Sequence, residues 1–442
     1  MEEDQDRKGW LDPVLKANLV LTTLAQVWLT RAMVRPQLVT FLFGLSASEF
    51  AHILVFWQAA NLYGVNAMNP DLFAGEGNWL SKFLLLVNAL CFSKQLPSVK
   101  DLLGSKQDFE IALARGGIKS YQSKWAYFLL TFLPIPYLNR RGKQLTTKSF
   151  RYANIRQVDP DLCERWANTS ATTKRLFYVR SGRDVVPNWM SLDVVARHDL
   201  VPGAPVLMYI HGGGWTVGSK RFALKSTLER IASRGVIVVS INYRLSPEVA
   251  FPEHALDCKR ALVFVKQHCA EWGGNKDLVF VSGESAGGHL SALMGTTPNL
   301  AELQPFAPNE DTSIAGCIPL YGVLDMLDGE GHLATLHPPP LAGLEGFGPQ
   351  TLLERVVFQQ PLTPETQHVY ELASPPFHVK RRSGVEADLP PFMVVHGTRD
   401  ALAAYDDSRA FYQALLDYRY RVQSKHGDVF VPLPHSWGSE AR

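Results

Sequence analysis

The chain has 442 residues, 46% of them hydrophobic, with 44 basic against 42 acidic side chains and a net charge of +2. That length and apolar content support a large core with an added segment, and the near-balanced charge excludes the basic surface that nucleic-acid binding demands. Five scattered cysteines, Cys91, Cys163, Cys258, Cys269 and Cys317, lack CxxC spacing, which argues against a metal centre or a disulfide framework and for buried thiols in a reducing compartment.

The first residues, Met-Glu-Glu-Asp-Gln-Asp-Arg-Lys, are too charged for a signal peptide. Apolar stretches follow at Leu15–Thr30, Leu38–Ala60, Trp79–Phe92 and Trp125–Leu138. Only Leu38–Ala60 reaches the ~20 residues that cross a bilayer, and Glu49 in its middle would cost ~2.5 kcal/mol or more. Residues 1–165 are therefore expected to form a helical, hydrophobic amino-terminal region that holds the protein at a membrane. The competing expectation is a soluble helical cap in a cytoplasmic protein. The basic turn Arg140-Arg141-Gly142-Lys143-Gln144 would lie on the cytoplasmic side.

From about residue 170 the texture changes to short β-rich runs alternating with amphipathic stretches, the pattern of a mostly parallel α/β sheet. Residues 166–442 are expected to form this catalytic domain. Arg175–Val179 and Ser191–Arg197 read as opening antiparallel strands. Pro205–Ile210, Val236–Asn242, Leu278–Ser282, Ile314–Leu320 and Phe392–Val395 read as the later strands. Helices are expected over Ser219–Arg234, Pro252–Trp272 and Ala286–Gly295. Residues 322–388, with Pro338-Pro339-Pro340 and several glycines, break the rhythm and read as a lid-like insertion.

Two motifs carry chemistry. The strand ending at Ile210 runs into His211-Gly212-Gly213-Gly214-Trp215, and the strand ending at Ser282 runs into Gly283-Glu284-Ser285-Ala286-Gly287. The second is a G-x-S-x-G turn, which exposes a serine above a sheet edge, and the first is a glycine loop able to bring main-chain donors to an oxyanion. Together they predict an acyl-transfer site with Ser285 as nucleophile. The acid should follow the serine and the base should come last. Asp400, in the loop after the strand Phe392–Val395, is the expected acid, with Asp325, Asp406 and Asp407 as competitors. Asp406 and Asp407 fit the first turn of a helix better. Only His426 and His435 follow Asp400. His426 reads as part of a hairpin or loop before the strand Val429–Val431, and His435 follows that strand, so His435 is the expected base. Glu284 reads as an anchor of the elbow, His211 as a loop-shaping residue, and His254 and His289 as packing residues on helices.

The two motifs, with Asn242-Tyr243-Arg244-Leu245-Ser246-Pro247-Glu248, Phe251-Pro252 and His396-Gly397-Thr398-Arg399-Asp400, resemble the hormone-sensitive-lipase-like branch of the α/β hydrolases over residues 200–437. That resemblance implies an α/β-hydrolase fold and carboxylesterase or lipase activity on a small-molecule or lipid ester, with no metal or cofactor. It also implies a triad of Ser285, Asp400 and His435, with Gly213, Gly214 and Ala286 as oxyanion donors. Two departures stand out. Ser436-Trp437 replace the usual small residue and Phe, and the chain ends seven residues after His435, where members of the branch continue with a closing helix. The second bears on stability more than on chemistry. A prenylcysteine methylesterase and a ligand-binding homologue without catalysis are the alternative functions. All three triad positions are filled here, which counts against the latter.

Overall fold

A computed structural model describes residues 14–25, 27, 58, 61–63, 65–68, 81–91, 145–171, 174, 189–221, 225–327, 349–382, 389–398, 400 and 403–426. The chain divides into two compact units, one of residues 1–135 with 338–345 and one of residues 136–337 with 346–442.

The larger unit is built on a six-stranded sheet. In chain order its elements are β1 (Leu145–Arg151), α1 (Pro160–Asn168), β2 (Ser191–Arg197), β3 (Ala204–Ile210), α2 (Lys225–Ala232), β4 (Ile237–Ile241), α3 (Glu253–His268), β5 (Gly274–Glu284), α4 (Ala286–Thr296) and β6 (Gly316–Leu320). After these come α5 (Gln367–Ala373), α6 (Pro375–Arg381) and α7 (Tyr405–His426). The strand order is β1-β2-β4-β3-β5-β6. β1, β2 and β4 pair antiparallel, and β4, β3, β5 and β6 pair parallel. Residues 391–395 continue the parallel ladder beside β6, through bridges Cys317–Phe392 and Leu320–Val395.

β3 shows why the sheet lies between helices. Its sequence Ala-Pro-Val-Leu-Met-Tyr-Ile is apolar throughout, as a parallel strand covered on both faces requires. Side chains alternate across a strand. Val206, Met208 and Ile210 accordingly enter the main core with Ala255, Leu262 and Val265 of α3 and Leu290 and Leu293 of α4. Leu207 and Tyr209 pack on the opposite face with Leu228 and Ala232 of α2.

Two expectations are corrected. The sheet begins with β1 at residue 145, about twenty residues before the expected boundary at 165, so the helical region does not run that far. β1 is an outer strand, partly exposed along its length, with the polar sequence Leu-Thr-Thr-Lys-Ser-Phe-Arg. Its antiparallel partner is Ser191–Arg197, the second of the two strands expected to open the sheet. Arg175–Val179, the other, lies outside the described residues. His426 is not in a hairpin: it is the last residue of the 22-residue helix α7. The insertion after residue 322 is helical in part among its described residues, at residues 349–352, α5 and α6. Most of the remaining strands and helices agree with the sequence to within a few residues, while within the expected helix Ser219–Arg234 the described helix is Lys225–Ala232. Asp406 and Asp407 do occupy the first turn of a helix.

Among the described residues no helix is long and apolar enough to cross a membrane. The stretch Trp79–Phe92 is helical over residues 81–91. Leu38–Ala60, apart from Gln58, and Trp125–Leu138 lie outside the described residues.

One buried ion cluster ties the larger unit together. Arg244, 2% exposed at its side chain, sits in the loop after β4. Its Nε and Nη2 donate to the two oxygens of Asp257 on α3 at 2.8 and 2.7 Å. Nη1 donates to Asp159 at 2.9 Å, and Nη2 also meets Glu253. Asp159 is in turn the N-cap of α1, accepting from the Leu162 N–H. Removing one partner of such a pair strands a buried charge, which costs about 3–5 kcal/mol. Asp257→Ala is expected to lower unfolding stability by that amount, read as a shift in urea midpoint. An unchanged midpoint would show that the cluster contributes nothing.

Candidate active site

The expected site residues that are described, all but His435, lie at one edge of the sheet. β3, β5 and β6 run parallel, and at their carboxyl ends lie respectively the His211–Trp215 loop, Ser285 and Tyr321. Residues 391–395 run parallel to β6, and the loop carrying Asp400 follows them. Ligands of open parallel sheets bind in crevices at this end of the strands.

Ser285 joins β5 to α4 and has φ 52°, ψ −117°. A non-glycine residue with positive φ is strained, and such strain persists where surrounding structure imposes it. The turn is held by the Ser285 N–H donating to the Leu320 carbonyl at 3.0 Å and by the His289 N–H donating to the Ser285 carbonyl at 2.9 Å. The chain can pass so close to β3 only because residue 287 is glycine: a Cβ there would lie 2.1 Å from the Ile210 oxygen. Ser285 itself is half-buried, between a fully buried helix and the surface.

The glycine loop lies against this turn. A Cβ built on Gly212 would come 2.7 Å from the Glu284 oxygen and 3.3 Å from Ser285 Cβ. Gly213, Gly214 and Trp215 all have positive φ, at 116°, 56° and 58°. The Gly213 carbonyl accepts the N–H groups of Thr216 and Val217, both at 3.0 Å. Ala286 is the first residue of α4, where main-chain N–H groups have no partner within the helix. Glu284 joins the loop to the elbow. Its carboxylate accepts from Tyr321 Oη at 3.0 Å and hydrogen-bonds the Gly212 backbone, while burial raises its pKa above the usual range.

Asp400 accepts the Ala403 N–H at 3.1 Å, and its other oxygen lies 3.4 Å from His396 Nε2. Asp325 accepts the Leu327 N–H at 3.0 Å, a turn-closing role. His396 is occupied at both ring nitrogens, Nδ1 by Ser408 Oγ at 2.6 Å and Nε2 by the Ala403 carbonyl at 3.0 Å. His435 lies outside the described residues.

The loop after β4, singled out in the sequence without a role, turns out to brace the glycine loop. Tyr243 stacks on His211 with ring centroids 4.5 Å apart, and its Oη donates to the His211 carbonyl at 3.0 Å. The Ser246 N–H donates to the Trp215 carbonyl at 2.8 Å, and Asn242 Oδ1 accepts the Lys220 N–H at 2.6 Å. Arg244 fastens this brace to α3 and α1. Sequence reasoning missed Tyr243 and the Arg244–Asp257 pair as supports of the site. The available signal was a Tyr-Arg pair directly after a strand that is otherwise apolar.

Three buried histidines lie behind the loop. His211 donates from Nδ1 to the Gly212 carbonyl at 2.7 Å. His289 donates from Nε2 to the Ala373 carbonyl at 2.7 Å, and Trp215 packs edge-on against it at 5.3 Å. His254 Nε2 lies 3.0 Å from Ser246 Oγ, whose own proton goes to the Val249 carbonyl at 2.8 Å, so His254 must be the donor. With the proton on Nε2, the bare Nδ1 atoms of His254 and His289 are left without partners among the described residues. Burial lowers the three pKa values to about 4, about 3 and about 4 for His211, His254 and His289.

Because these folded-state values lie below the unfolded value of about 6.5, the contribution of neutral histidine to stability is complete above that pH. It is lost as pH falls from about 6.5 towards 4, where the unfolded chain binds protons that the folded chain refuses. Each histidine is expected to remove roughly 1.4 kcal/mol per pH unit in that window. Urea midpoints at pH 7 and pH 5 measure this, and a flat profile would mean that the three are solvated.

A family model described as BD-FAE matches residues 192–415, just over half of the chain, from β2 into α7. The chain belongs to the BD-FAE family. The match takes in the glycine loop, the elbow and Asp400, and it fits the α/β-hydrolase resemblance carried by the motifs. Among curated relatives, a Mycobacterium tuberculosis protein named "Probable carboxylic ester hydrolase LipM" is 40% identical over 245 residues, 55% of this chain and 51% of that protein. An Arabidopsis thaliana protein named "Probable isoprenylcysteine alpha-carbonyl methylesterase ICMEL1" is 25% identical over 267 residues, 56% of this chain and 50% of that one. A solved structure of the thermophilic esterase Est2 from Thermogutta terrifontis, butyrate-bound, is 25% identical and covers 52% of this chain and 74% of that one, with a TM-score of 0.40. The chain spans about half the length of the curated relatives it matches.

Proposed function

We propose that this protein is a serine carboxylic-ester hydrolase. The observation that carries the reading is the packing of the glycine loop directly against the Ser285 turn, with positive φ at both places. In the proposed reaction Ser285 Oγ attacks the acyl carbon while His435 takes its proton, and Asp400 orients the imidazole. The carbonyl oxygen becomes an oxyanion held by the N–H groups of Gly213, Gly214 and Ala286. The tetrahedral adduct collapses, the alcohol leaves with the proton from His435, and an acyl-enzyme remains. Water then repeats the sequence, releasing the acid and restoring the Ser285 hydroxyl.

Purified full-length protein is expected to hydrolyse p-nitrophenyl esters of short acyl chains, and a chain-length series tests the assignment. No turnover across the series would contradict it. A second reading, a prenylcysteine methylesterase, is favoured by the name of the Arabidopsis relative. A prenylcysteine methyl ester that is turned over in preference to every p-nitrophenyl ester would support it.

We propose further that the amino-terminal region lies at a membrane while the larger unit carries the chemistry. Sedimentation after a carbonate wash tests this part: the full-length chain should stay in the pellet and leave it only with detergent.

A further inference from the structure

The smaller unit, taken by itself, buries polar side chains beside apolar ones among its described residues, and turns large apolar ones outward. Among its described residues Gln58 and Asn88 are fully buried, and Thr22, Thr23 and Ser81 are buried too. All but Ser81 take part in a ladder of hydrogen bonds between helical runs. Asn88 Nδ2 donates to Thr23 Oγ1 at 2.7 Å and to the Leu84 carbonyl at 2.8 Å. Gln58 Nε2 donates to Asn88 Oδ1 at 2.7 Å. Asn18 Nδ2 donates to Asn61 Oδ1 at 3.0 Å, and Asn61 Nδ2 to Thr22 Oγ1 at 3.2 Å.

Leu15, Leu19, Val65 and Leu84 are buried beside these polar groups, but other apolar side chains point outward. Leu21, Leu24, Phe83, Leu86 and Leu90 are each more than half exposed. Phe83, Leu86 and Leu90 stand at spacings of three and four residues, one stripe of a helix. In water this arrangement is unfavourable on both counts. Each outward leucine or phenylalanine forgoes the gain of burial, and the buried amides only exchange water for one another. In hydrocarbon both signs reverse: outward leucines match the solvent, and hydrogen bonds between helices become a principal source of association.

Charge points to the same medium. Lys16 and Lys82 are the only charged residues among those described in this unit, and both are positive. Each lies near the start of its helical run, 14–25 or 81–91, where a cation on a long apolar stem can reach anionic headgroups. Those runs extend roughly 18 and 17 Å at 1.5 Å per residue, against about 30 Å of hydrocarbon.

We infer that the outward faces of Leu21–Leu24 and Phe83–Leu90 are covered by the acyl chains of a bilayer, while the Thr23–Asn88–Gln58 ladder holds the helices to one another inside it. The inference rests on the membrane reading above and adds to it the residues that meet lipid.

Full-length protein carrying photoreactive benzoylphenylalanine at position 24 or 86 is mixed with phosphatidylcholine–phosphatidylglycerol vesicles and irradiated. Lipid adducts are expected from both positions and not from position 276, an exposed site of the larger unit. Leu86→Glu is expected to lower the vesicle-bound fraction at least tenfold, roughly the cost of a charge in hydrocarbon, and to leave ester turnover unchanged. Cross-links joining two copies of the chain would overturn the inference, because a second copy would then cover the face. Protein that stays in the carbonate pellet but gives no lipid adduct, or is untouched by Leu86→Glu, would overturn it while leaving membrane association standing. Protein found wholly in the supernatant would overturn both.

Discussion

Ser285→Ala is expected to lower kcat for a short acyl ester by at least about four powers of ten, with little change in KM. The alanine keeps the turn, since the main-chain bonds to Leu320 and from His289 do not involve the hydroxyl. The glycine loop also keeps its place against the elbow. What disappears is the atom proposed to form the acyl-enzyme, so in the proposed mechanism only transition-state stabilisation by the loop remains. Steady-state kinetics on protein free of contaminating esterase measure this. Activity within tenfold of the parent would mean that ester cleavage proceeds without Ser285.

His435→Ala is expected to cost about as much as Ser285→Ala, because nucleophile and base act as one unit and removing either abolishes the same step. His426→Ala should keep most activity. His426 is the last residue of the 22-residue helix α7, 21 residues from that helix's start at Tyr405. Side-by-side kcat values for the two variants decide the matter. Loss of activity in His426→Ala with retention in His435→Ala would put the base at the end of the helix.

Legibility in the sequence followed burial. β3 and β4 were readable because strands covered on both faces are continuous apolar runs bounded by turn residues. The elbow and glycine loop were readable because their backbone geometry admits so few residue types. β1 was missed for the opposite reason. It is bonded on one edge only and partly exposed, so nothing forces Leu-Thr-Thr-Lys-Ser-Phe-Arg into an alternating pattern.

The insertion after residue 322 read only as a break in the rhythm, with no helix placed in it, yet Pro375 and Pro376 stand in the first turn of α6, where a missing N–H costs nothing. His426 was misread because the sequence from Tyr420 to His426 has little apolar periodicity. The brace formed by Tyr243 and Arg244 could not be read from one sequence at all. Its partners are His211, 32 residues away, and Asp159, 85 residues away, and only the folded sheet brings them together.

The most direct test of the central claim is covalent. Native full-length protein treated with a fluorophosphonate, digested and mapped by mass spectrometry, should carry one adduct, on the peptide containing Ser285, with ester turnover lost in proportion to labelling. The Ser285→Ala protein should take no label. An adduct on a different residue, or undiminished turnover in fully labelled protein, would contradict the account.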